Sequence, residues 1–170
     1  MKSYTTAITL FLIILSAAIL QMTIFSRLML LHGAVDIVLL TLIAWSLQEN
    51  GPNMWPWTFL AGTIIAFASA LPVYTPILGY LIVTGLARLT QRRIWQTPLL
   101  AMLLVTLLGT IIYHLMSMAA LFLNGSPIPF EIAWNQVTMP SLLLNLFLAI
   151  PVYATMHSIK DQLYPLNTQA

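Results

Sequence analysis

Few side chains in this 170-residue chain carry chemistry of their own: four Asp and Glu, six Lys and Arg, three His and no Cys. Without cysteine there is no disulfide, thiol nucleophile or thiolate metal site. His32, His114 and His157 are scattered along the sequence without acidic companions, which argues against zinc. The chain has no His-Glu-x-x-His and no Gly-rich phosphate loop. An intramembrane aspartyl peptidase needs two facing carboxylates, and only Asp36 lies close to an apolar run. No Ser stands with a His and an acid in a recognisable arrangement. Within the apolar runs the polar residues are Ser, Thr, Asn, Gln and Tyr, which join helices better than they carry out reactions. Neither an enzyme activity nor a cofactor is expected.

The clearest pattern is Ser141, Asn145, Ala149, Tyr153 and His157, spaced four apart in an otherwise apolar stretch. On a helix that spacing makes one small and polar stripe. Lipid offers an amide no partner, so Asn145 should face the rest of a bundle. A second row, Gly62, Ala66 and Ala70, is of the small-xxx-small kind that lets two backbones approach. Thr106, Thr110, His114 and Ser117 form a third, with Gly109 and Tyr113 alongside. For His114 a proton-relay or ligand role competes with plain hydrogen-bonded packing, and packing is preferred because no carboxylate is expected at its depth. Two readings stand for Asp36: a cap at a helix start near the interface, complementing the helix N-terminus, or an acid that organises the bundle or faces a partner. Gln21 is interfacial or packed inward.

These residues need an apolar frame. The chain is 60% hydrophobic and 6% charged, against roughly 25% charged in soluble domains, and its mean hydropathy is +0.93. Such a composition excludes a soluble fold, and leaves too few charges for a nucleic-acid surface. An all-α, polytopic integral membrane bundle is expected, one domain over residues 1–170, with about six spans of about 20 residues each, some shorter. The helices are expected at residues 5–25, 35–47, 57–71, 76–89, 98–122 and 140–158. Five spans remain an alternative, since the third and fourth are short and separated by Pro72 and Pro76. Glu49-Asn50-Gly51-Pro52-Asn53 is a turn, followed by Trp55 and Trp57 as an aromatic belt. Residues 124–139 read as the longest loop, holding a short helix whose face is Phe130, Ala133, Trp134 and Val137, either interfacial or a docking surface for a partner. Lys160 and Asp161 begin a polar tail.

Positive charge sets the orientation. With six spans and both termini in the cytoplasm, Lys2, a loop holding Arg88, Arg92 and Arg93, and Lys160 all fall inside, and only Arg27 dissents.

Several local signatures resemble the MreD family, the small membrane subunit of the bacterial rod-shape complex. Pro140 and Ser141, then Asn145, then Pro151-Val152-Tyr153 are similar to that family's last helix. Leu20-Gln21 with Thr23 resembles the end of its first helix. Asp36-Ile37-Val38-Leu39-Leu40 is similar to its Pro-Asp-Leu-Val-Leu motif, with Val35 in place of proline. Gly51 and Phe59-Leu60-Ala61-Gly62 resemble its glycine-rich third-helix region, although an Asp common there would fall near Ala66. The resemblance implies a non-catalytic scaffold in the bacterial cytoplasmic membrane. Its implied partners are MreC, a single-span protein, and directly or indirectly RodA, the elongation transpeptidase and the MreB filament, in lateral peptidoglycan synthesis. It also implies the fold of the substrate-binding subunits of energy-coupling-factor vitamin importers, which supplies an alternative function. Against that alternative stand the short 26–34 connection and the lack of an Ala-xxx-Ala row in the first helix. Helix-packing or partner-contact residues are expected at Gln21, Asp36, Gly62, Ser141, Asn145 and Tyr153.

Overall fold

A computed structural model describes residues 2–25, 32–49, 51–93 and 97–163. Arg27 with most of its connection, Asn50 and the end of the polar tail lie outside them. Six helices follow in order and form an all-α bundle: α1 (Lys2–Leu20, continued by a π-helical stretch Gln21–Phe25), α2 (Ile37–Ser46), α3 (Trp55–Ala68), α4 (Tyr74–Arg93), α5 (Pro98–Leu123) and α6 (Phe130–Leu163).

All ten residues of α2 are buried. At about 1.5 Å per residue it is only about 15 Å long, half of a typical hydrocarbon core. It forms the centre of the bundle, with α1, α4, α5 and α6 packed around it and α3 against α4. Its helical moment vanishes because every face meets protein. By contrast α1 buries a single stripe, Leu10, Ile14, Ala17 and Ala18, and turns Phe11 and Ile19 outward. Large apolar side chains elsewhere also point away from the core, with Phe67 84% and Phe147 77% exposed. Contiguous apolar surface of that kind belongs against lipid or protein rather than water. Among the described residues, three helical stretches, Thr5–Ile24, Pro98–Leu123 and Phe130–Leu163, are long and apolar enough to cross a membrane.

Close backbone approaches draw the helices together. A Cβ on Gly62 would stand 2.8 Å from the Cα of Ile77, so α3 meets α4 backbone to backbone at this glycine. Ala66 continues the small row, but α3 stops at Ala68, and exposed Ala70 falls beyond it. Buried Thr58 and Thr84 share a hydrogen bond of 2.9 Å across the same pair of helices.

Four expectations need correction. Arg88, Arg92 and Arg93 sit on the last turns of α4 rather than in a loop, where their charge complements the helix C-terminus. Arg88 donates to the Pro52 carbonyl and so holds the α2–α3 turn. The third helix begins at Trp55, with Pro56 in its first turn where a missing N–H costs nothing. No separate interfacial helix precedes α6. Phe130 opens one helix that runs to Leu163 through a π-helical stretch, Ala133–Thr138, just ahead of Pro140. Pro140 has no N–H for the carbonyl one turn back, and the N–H of His32 takes the Gln136 carbonyl at 3.1 Å instead. Lys160 and Asp161 accordingly lie on the helix, not in a tail.

Candidate functional site

A helix start leaves backbone N–H groups without partners. The start of α2 is packed among other helices, where acceptors must serve them. Side chains from other helices do so. Ser141 Oγ accepts from the Ala34 N–H at 3.0 Å and Asn145 Oδ1 from the Asp36 N–H at 2.9 Å, both reaching across from α6. Gln21 Oε1, at the end of α1, accepts from the Val38 N–H at 2.9 Å. Asp36 caps its own helix by accepting from the Leu39 N–H at 2.8 Å. Tyr80 of α4 donates to its carboxyl, with 3.0 Å to each oxygen. Asn145 Nδ2 donates to Thr110 Oγ1 of α5 at 3.1 Å. Five of the six helices therefore contribute to one polar hub.

Backbone fit permits these reaches. The stripe on α6 is buried through Ser141, Asn145, Ala149 and Tyr153. Gly33 lies against α6 where its π-helical stretch gives way to Pro140, and a Cβ there would fall 2.6 Å from the Ser141 nitrogen. The π-helical stretch that ends α1 begins at Gln21. Such stretches shift the side chains that follow relative to an α-helix.

The hub borders a cavity of about 340 Å³ lined in part by Gln21, His32, Asp36, Tyr113, His114 and Ser141. Asp36 is the cap expected at the start of α2 and is drawn into the bundle by these bonds, and it lines the same cavity as His114. His114 Nδ1 lies 3.2 Å from Thr138 Oγ1. Thr138 gives its single proton to the Ala133 carbonyl at 3.1 Å, so the ring nitrogen is the donor in that pair. A Ser, a His and an Asp line one cavity, yet the bonds described for them run elsewhere: Ser141 to Ala34, His114 to Thr138 and Asp36 to Leu39 and Tyr80. A nucleophile triad requires them to bond one another.

Comparison with family models, curated proteins and solved structures finds no match. The geometry therefore carries the reading alone. Of the six residues singled out from sequence, Gln21, Asp36, Ser141 and Asn145 converge on the hub. Gly62 belongs to the α3–α4 contact. Tyr153 is buried nearer the other end of α6, with its ring 5.9 Å from that of His157 and nearly parallel to it. Sequence reasoning missed Tyr80, although Pro76, Tyr80 and Thr84 make a buried row at four-residue spacing on α4. Among the described residues, no three His, Asp or Glu side chains are grouped to hold a metal ion.

Proposed function

We propose that this chain is a non-catalytic scaffold of the MreD kind in a bacterial cytoplasmic membrane, one that receives the transmembrane helix of a single-span partner such as MreC. The observation supporting this reading is a groove between α1 and α6 with α2 as its floor. Its cavity measures about 390 Å³, with walls that include Ile13 and Ala17 of α1 and Leu148, Val152 and Met156 of α6, over Ile37 of α2. Small residues, Ser16 and Ala17, let a guest helix approach closely. The polar groups of the hub are turned inward on one another and leave the outer faces apolar, as a protein that works by lateral contact in the bilayer requires. RodA, the elongation transpeptidase and MreB enter this proposal as direct or indirect partners.

Orientation follows the same proposal. Arg88, Arg92, Arg93 and Lys160 share the end of the bundle where α4 and α6 finish, and that end is assigned to the cytoplasm together with both termini.

The test is recovery of partners from native membranes in a gentle detergent. A single-span protein with a large external domain should co-purify with the wild type. It should be lost with Ser16→Trp and Thr155→Trp, two exposed positions that fill the groove, while thermal stability stays within about 0.5 kcal/mol as for other surface changes. Undiminished recovery with both variants refutes the groove as the contact. One observation favours a second reading, the substrate-binding subunit of a vitamin importer: the cavity beside Asp36 is of ligand size, about 340 Å³. Co-purification of ATPases together with a bound vitamin-like molecule would select that reading.

A further inference from the structure

Where α4 ends, the polar groups are not turned on one another as they are in the hub. Arg88 and Arg92, one turn apart on that helix, line a cleft of about 540 Å³ with Gly85 and Leu89 of α4 and with Asn53 and Trp55 from the α2–α3 turn and the start of α3. The bond to the Pro52 carbonyl pins Arg88 there and uses one of the five N–H donors of its guanidinium. Arg92 is exposed. No acid of this chain balances the two. Of its four, Asp36 is in the hub, Glu131 opens α6 and Asp161 stands beside Lys160. The fourth, Glu49, follows buried Gln48 and lines the neighbouring cavity instead. Among the described residues, neither arginine has an ion-pair partner. Like charges one turn apart repel, and an anion seated between them would remove that cost.

A second observation says what kind of anion. Leu78, Ile82, Gly85, Leu89 and Arg92 recur at three- and four-residue spacing, so they share one face of α4. Leu78, Ile82 and Leu89 are exposed along it. Gly85 keeps this stripe open where it passes the Trp55 ring. Trp55 and Phe59, one turn apart and both exposed on α3, flank it, since α3 packs against α4. The charged cleft is thus the head of a continuous apolar track that runs along the bundle. Trp with Arg at a bundle end marks the headgroup level of a membrane, and basic clefts between membrane helices at that level take anionic headgroups. A free phosphate would use the arginines and leave the track idle. An anionic lipid uses both.

We infer that the cleft at the end of α4 binds the headgroup of an anionic phospholipid, its phosphodiester between Arg88 and Arg92 and an acyl chain along Leu89, Ile82 and Leu78. A zwitterionic headgroup fits less well, because its ammonium meets two arginines and no carboxylate in this wall. The bound lipid also braces the α2–α3 turn, which Arg88 already holds through Pro52. The inference does not depend on the scaffold reading, since it concerns the α3–α4 face and not the α1–α6 groove.

The full-length protein in a neutral detergent is titrated with phosphatidylglycerol, phosphatidylethanolamine, glycerophosphoglycerol and inorganic phosphate, with thermal shift and native mass spectrometry as readouts. Phosphatidylglycerol should bind more tightly than phosphatidylethanolamine, and the two water-soluble anions more weakly than either lipid. Arg92→Gln, at an exposed position, should weaken phosphatidylglycerol about fivefold, the loss expected for one basic side chain at a membrane surface. Its melting point without lipid should match that of the wild type. Arg93→Gln removes the same charge one residue on, at an exposed position outside the cleft, and should leave the affinity unchanged. Equal losses with Arg92→Gln and Arg93→Gln would mean that only net charge attracts the lipid, and overturn the inference. So would equal binding of the two lipids, or binding of glycerophosphoglycerol or phosphate as tight as that of phosphatidylglycerol.

Discussion

Replacing Asn145 with leucine tests whether the hub holds the bundle together. The side chain makes two buried bonds, from the Asp36 N–H at 2.9 Å and to Thr110 Oγ1 at 3.1 Å. Leucine is nearly isosteric and removes both. The Asp36 N–H is then left inside the bundle without an acceptor, at about 1–3 kcal/mol. Thr110 loses only a donor to an oxygen that still carries its own proton, so its loss is smaller. Interhelical bonds of this kind in membranes are worth about 0.6–2 kcal/mol. Added apolar contact from leucine recovers part of the loss. A net destabilisation of about 2 kcal/mol is expected, most of it from the orphaned amide. A double-mutant cycle with Thr110→Val separates the two bonds, because only the Nδ2 bond is shared by the pair. Reversible unfolding in mixed detergent, followed by the fluorescence of buried Trp45, reads all four proteins. The coupling energy should be about 0.6–1.5 kcal/mol, and Asn145→Leu should lose more than Thr110→Val. Equal stability of Asn145→Leu and wild type, or strict additivity of the pair, refutes the reasoning.

Tyr80→Phe deletes the hydroxyl that donates to both Asp36 oxygens, and a loss of about 1–3 kcal/mol is expected in the same unfolding assay; an unchanged midpoint would mean that the carboxyl has another donor. Gly62→Ala pushes a methyl against the Ile77 backbone, with 2.8 Å to Cα and 3.2 Å to N, and should cost about 1–3 kcal/mol through the separation of α3 from α4. Gly85→Ala is its counterpart. The added methyl would lie 3.4 Å from the nearest atom, in the Trp55 ring, and helix propensity should make this variant about 0.5–1 kcal/mol more stable.

Much of the hub was legible because it rests on periodicity. Residues four apart on α6 share a face whatever the fold, and an amide among Leu and Phe has to turn inward. What periodicity does not encode is which other helices surround a helix start. Asp36 reads from sequence as a cap on its own short helix. In the structure side chains of α1, α4 and α6 converge on that cap, so it becomes a shared group. The continuity of α6 was hidden by Pro127, Pro129 and Pro140, residues that ordinarily bound a helix. Pro140 is tolerated because of a partner more than a hundred positions away in sequence, the His32 N–H that fills the Gln136 carbonyl. No local rule could supply that bond. Gln48 escaped notice because a polar residue at a helix end is ordinarily solvated, and its burial depends on how α6 crosses over it.

The caps on α2 also dictate a schedule. Helices enter a membrane in the order of translation, so α2 arrives with the amides of Ala34 and Asp36 exposed, while Ser141 and Asn145, their acceptors, are still unsynthesised. Only the end of α1 is in place to help, through Gln21 and Val38. For the whole interval in which α3, α4 and α5 are made, the second helix is an incomplete element that the insertion machinery or surrounding headgroups must shelter. A chain stopped after Asn124 should therefore be cleared rapidly by membrane proteases, and a separately expressed α6 segment should rescue it; persistence of the truncated chain at full-length levels would show that the caps are dispensable for biogenesis.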